Sequence, residues 1–120
     1  MKDTLKAGIA NEASYEVTED LSPPHLPVKV LSTPSMIQWI EGTCLMTAQP
    51  HLDEGETTVG VHVCVSHSGP ARAGERVQVR VRLKEIRKRR LVFETEVHAP
   101  QGVISEGTHE RSVIGRRRFG

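Results

Sequence analysis

A chain of 120 residues has room for one domain with a modest core. Charged residues make up 26% of it and nearly cancel to a net charge of +1, while aromatics make up 3%, so a strong field for polyanions and a platform for stacking bases are both poorly supplied. The apolar runs are too short to cross a bilayer, and the basic start Met1–Lys6 has no apolar region behind it, so a cytoplasmic protein without membrane or nucleic-acid partners is expected.

Residues 1–12 read as a loose start. In Ala13–Thr18, Tyr15 and Val17 alternate with polar neighbours, as in a short strand. Pro23, Pro24 and Pro27 then exclude a regular helix or a central strand. Thr33 is a candidate N-cap, with Pro34 at the first helical position, for a helix that ends near Pro50. Along it Ile37, Ile40, Cys44, Leu45 and Ala48 recur at spacings that place them on one face. Glu41 falls inside that stripe, i+4 from Ile37 and i−3 from Cys44. A carboxylate buried there needs a partner or a raised pKa, and such groups are candidates for base or nucleophile chemistry. The plainer alternative is an imperfect stripe with Glu41 solvated at its rim. The helix by itself leaves both open.

After the polar stretch His51–Glu56 the apolar period changes to two. Strands are expected over Thr57–His67, Arg76–Leu83, Leu91–His98 and Val103–Ile114, separated by turn signals at Ser68-Gly69-Pro70, Ala73-Gly74, Arg87-Lys88 and Pro100-Gln101-Gly102. A short strand, one long helix and four strands make an α+β protein, with one face of an antiparallel sheet against the helix. Cys44 and Cys64 read as reduced, partly buried thiols. The histidines have no zinc-like spacing among themselves or with the cysteines, so no metal is expected. His67, at a strand end before a Gly-Pro turn, is either ligand-facing or an ordinary surface histidine. The helix start at Thr33 offers free N–H groups suited to a carbonyl oxygen or a phosphate, besides its capping role. The basic run Lys84–Arg90 reads as a solvated hairpin tip, or next as a site for a phosphate-bearing small ligand. With Arg116–Arg118 it makes a nucleic-acid patch thinkable, but balanced charge and scarce aromatics speak against one.

Taken together, Thr33, Glu41, and Gly60 and His67 flanking Val61–Ser66 resemble the hot-dog fold thioesterases, most of all the fluoroacetyl-CoA thioesterase branch. Arg89–Glu94 and the ending Gly107–Arg111 match that branch in character, and the likeness runs from about Val28 to Phe119. The resemblance implies a long helix wrapped by an antiparallel sheet, a homodimer, with pairing of dimers into a tetramer left open, and hydrolysis of acyl-CoA at the dimer interface without metal or cofactor. By matching positions it implies Thr33, Glu41 and His67 as the catalytic set and Gly60 as a lining residue of the acyl pocket. Cations at the hairpin, Arg89 and Arg90, or at the C-terminal cluster would meet the CoA phosphates. One departure stands out: the fluoroacetyl-specific enzymes carry a phenylalanine lid ahead of the threonine, whereas Pro23–Leu31 has no aromatic residue. The alternatives are a non-catalytic acyl-CoA binding module on the same fold, or other acyl-thioester chemistry such as dehydration.

Overall fold

The computed structural model of the protein describes residues 1–118. Phe119, at the end of the resemblance, lies outside the described residues. Among the described residues, five strands form one antiparallel sheet: β1 (Ala10–Glu16), β2 (Glu56–Val65), β3 (Arg76–Arg87), β4 (Arg90–Ala99) and β5 (Gly102–Gly115), in the order β1-β3-β4-β5-β2. The helix α1 (Thr33–Ala48) lies against one face of the sheet. A helix wrapped by such a sheet is the hot-dog arrangement the resemblance implied. Among the described residues, no helix is long and apolar enough to cross a membrane.

Alternation builds the sheet. Val77, Val79, Val81 and Leu83 on β3, and Leu91, Phe93 and Val97 on β4, all point into the core. Arg80 and Arg82 on β3 and Glu94 and Glu96 on β4, between them, face water, and some pair across strands, as in Arg80–Glu12 at 3.3 Å and Arg82–Glu94 at 2.9 Å. Such exposed pairs contribute roughly 0–1 kcal/mol each, so apolar burial dominates. Arg87 and Arg90 close a tight hairpin through Lys88, whose φ of 56° is left-handed.

Three local expectations are corrected. Ser32, not Thr33, is the N-cap: its hydroxyl accepts the Ser35 N–H, and Thr33 is already helical. A cap needs extended backbone, and Ser32 has it at φ −76°, ψ 154°. The buried helix face is Met36, Ile40, Thr43, Cys44, Thr47 and Ala48, which leaves Ile37 and Leu45 only partly buried and puts Glu41 at the rim. Thr43 and Thr47 can be buried because their hydroxyls donate to the carbonyls of Trp39 and Thr43, each at 2.7 Å. Finally, β1 begins at Ala10, and the residues before it are tied down: Leu5 is in the core and the Lys2 N–H bonds the His51 carbonyl.

Candidate active site

Two groups of side chains line the space between α1, β2 and β5. The first joins the start of the helix to the loop that follows β2. Thr33 Oγ1 lies 2.7 Å from His67 Nδ1. Partial burial pushes the His67 pKa below its ordinary value, so the ring is neutral near pH 7. With Ser32 serving as the cap, the Thr33 hydroxyl is free for this contact.

The second group forms around Gly60. A Cβ at that position would stand 2.6 Å from Glu41 Oε1, 3.2 Å from His109 Cε1 and 3.4 Å from Arg111 Nη1. A side chain there would displace the Glu41 carboxylate, the far end of a flexible side chain, so glycine leaves that carboxylate its place against the strand. The register of β2 against β5 shifts between Gly60 and His62, a bulge of the kind that re-aims side chains beside sites. Arg111 is buried, yet its guanidinium is anchored on neutral acceptors. Nε donates to Thr58 Oγ1 at 2.8 Å, Nη2 to the Thr58 carbonyl at 3.1 Å, and Nη1 to His109 Nε2 at 3.0 Å. Burial lowers the Arg111 pKa, and Glu41 and Cys44 oppose that shift. Cys44, fully buried beneath Glu41, has its thiol pushed up to about 12, first by burial, so it is not a nucleophile. Both cysteines are free, Cys44 buried and Cys64 exposed.

The structure therefore brings Thr33 to His67 and Glu41 to Gly60, but not all four to one point. Thr33 and Glu41 are eight residues apart on one helix, about 12 Å along its axis. Arg89 and Arg90 stand at the hairpin tip and are engaged there, Arg89 with Glu56 at 3.0 Å and Arg90 with Glu110 at 2.9 Å. Sequence reasoning assigned no role to His109 or Arg111. The signal was present: along β5 the inward positions are Ser105, Gly107, His109, Arg111 and Val113, a buried face too polar for a mere core strand.

Residues 13–117 match the model of the fluoroacetyl-CoA-specific thioesterases. The chain belongs to that family. The fluoroacetyl-CoA thioesterase of Streptantibioticus cattleyicolor is 29% identical to it over 133 residues, which cover 99% of this chain and 92% of that one. A solved structure of the fluoroacetyl-CoA thioesterase FlK superposes with a TM-score of 0.91 at 28% identity, over 98% of this chain and 93% of FlK. A mutant of FlK solved with fluoroacetate and CoA gives 0.89 at 27% identity, over 97% of this chain and all (100%) of that one. A thioesterase superfamily member from Thermus thermophilus, 22% identical with a TM-score of 0.88 over 97% of this chain and 88% of its own, shares the fold. This member of the fluoroacetyl-CoA-specific thioesterase family is thus a hot-dog thioester hydrolase.

Proposed function

We propose that the protein hydrolyses a short or medium acyl-CoA to the free acid and CoA, with Glu41 as nucleophile or general base. One observation carries this reading. In a chain of this family the Glu41 carboxylate stands against a side-chain-free strand position, faced by a buried arginine. As nucleophile it would attack the thioester carbonyl, expel the CoA thiolate and leave a mixed anhydride that water opens. As base it would take the proton of the attacking water. Neutral His67 and the Thr33 hydroxyl beside the helix N-terminus suit the polarisation of the carbonyl and the developing oxyanion. These steps ask for no metal or cofactor.

A homodimer fits the same geometry. Among the described residues, the outer edge of β2 has no partner strand, and it exposes Val61, Val63 and Cys64. One scissile carbonyl cannot touch both Glu41 and Thr33 of a single helix, whereas subunits paired about a two-fold axis can offer one from each. The CoA complex of the FlK mutant supports a CoA-bearing substrate. Fluoroacetyl selectivity is not part of the proposal, because Pro23–Leu31 carries no aromatic residue and Val28 is 60% exposed.

The test is thiol release from acetyl-, fluoroacetyl-, butyryl-, hexanoyl- and phenylacetyl-CoA by wild type beside Glu41→Gln. Release that drops on the order of 100-fold or more in the variant, with an unchanged melting midpoint, supports the assignment. An equal rate in the variant would make Glu41 structural. Binding of acyl-CoA without release by wild type would point to a binding module.

A further inference from the structure

The geometry points to His109 as a positioning residue: its Nδ1–H tautomer, locked by the His62 carbonyl, makes Nε2 the acceptor that aims Arg111 at the Glu41–Gly60 site. The catalytic part of this inference rests on the proposed hydrolysis; the tautomer and the anchoring of Arg111 do not.

His109 is fully buried on β5, and its Nδ1 lies 2.8 Å from the carbonyl oxygen of His62. A carbonyl only accepts, so Nδ1 carries the proton. In the neutral ring Nε2 then presents a lone pair, and Arg111 Nη1 donates to it at 3.0 Å. Protonating His109 would turn that lone pair into a donor facing a guanidinium, leaving two cations with no acceptor between them. The arrangement therefore demands a neutral ring.

The surroundings agree. On α1 the charged or titratable groups facing this pair are Glu41 and, towards Arg111, Cys44; on β2 there is His62; on β5 there is Arg111 itself. The β4 neighbour in register is Phe93, which carries no charge. Burial comes first and Arg111 adds to it, holding the His109 pKa below its ordinary 6.5 against the opposing His62 hydrogen bond and Glu41. The other acceptors of the guanidinium are Thr58 Oγ1 and the Thr58 carbonyl, so among the described residues no carboxylate is hydrogen-bonded to it. The positive charge is left for Glu41 and for whatever enters beside Gly60. The sign of the pH effect follows. The network is intact above pH 6.5, and both it and the stability it carries are lost as pH falls through the lower folded value.

Two substitutions separate aiming from mere filling. His109→Gln keeps an acceptor where Nε2 stood. His109→Asn keeps a donor towards the His62 carbonyl but withdraws that acceptor. In wild type, 15N spectra of labelled histidine are expected to show the Nδ1–H tautomer persisting below pH 6.5, with the Arg111 Nε–H protected from exchange. The Gln variant should keep that protection and most of kcat, and lose the acid inflection attributable to His109. The Asn variant should lose the protection, with kcat reduced on the order of 10- to 100-fold. Equal effects of the two substitutions on both protection and kcat, or a wild-type ring in the Nε2–H tautomer, would overturn the proposal. If wild type releases no thiol from any acyl-CoA, the thioesterase reading fails separately, and the tautomer and the Arg111 protection still decide the role of His109.

Discussion

At the scale of single residues, the site is an exercise in who is free to act. Ser32 caps the helix, so Thr33 spends its hydroxyl on His67. This separates two roles that the sequence fused in one residue. Thr33→Ala should therefore leave thermal stability within about 0.5 kcal/mol of wild type, because the cap is untouched. The same variant should lower kcat for acyl-CoA hydrolysis roughly 10- to 100-fold, as loss of a transition-state hydrogen bond does. Paired melting curves and thiol-release kinetics check it. A large fall in the melting midpoint would return the capping role to Thr33. Residue types and spacing showed Glu41 as a carboxylate inside an apolar stripe, or solvated at its rim. They could not show that it points at Gly60, because that contact spans two elements.

At the scale of elements, α1 and β5 each present a mixed face to the other. The helix buries Met36, Ile40 and Cys44 completely, together with the threonines that satisfy themselves on its own carbonyls. Periodicity alone rotated this face, because Thr43 and Thr47 count as polar in a sequence. Bonded internally, they become acceptable core residues, and the stripe turns away from Ile37 and Leu45. Ile40, with no exposed surface, anchors the corrected face. Ile40→Ala is expected to cost about 2–5 kcal/mol in urea unfolding, near the upper end if the site cannot collapse. A cost below about 1 kcal/mol would show that the helix face has been misassigned. On β5 the inward His109 and Arg111 are affordable only as a network with Thr58 and the His62 carbonyl, since an unpaired guanidinium there would be prohibitive.

At the scale of the whole molecule, the two halves of the site lie about two helical turns apart in one chain. If subunits share sites, one carrying Glu41→Gln and one carrying Thr33→Ala form a heterodimer with one site fully intact. Mixing and re-pairing the two impaired variants should then raise activity to about a quarter of wild type, because half the dimers are mixed and half of their sites are whole. No recovery, with dimers verified by sedimentation, would place both groups of each site in one subunit.

The sequence by itself determined the order of elements, because a change of period from 3.6 to 2 and the Gly and Pro turn signals are local facts. It also carried the family likeness, since Thr33, Glu41, Gly60 and His67 are read by identity and spacing alone. The tertiary structure decided which helix face is core, which serine caps, and which residues meet at the site. Glu41, Gly60, His109 and Arg111 come from a helix and two strands as much as 70 residues apart in the chain, brought together by the pairing of β2 with β5 under α1. The protonated nitrogen of His109 is likewise set by a carbonyl 47 residues away, and no local pattern encodes a contact made across a sheet.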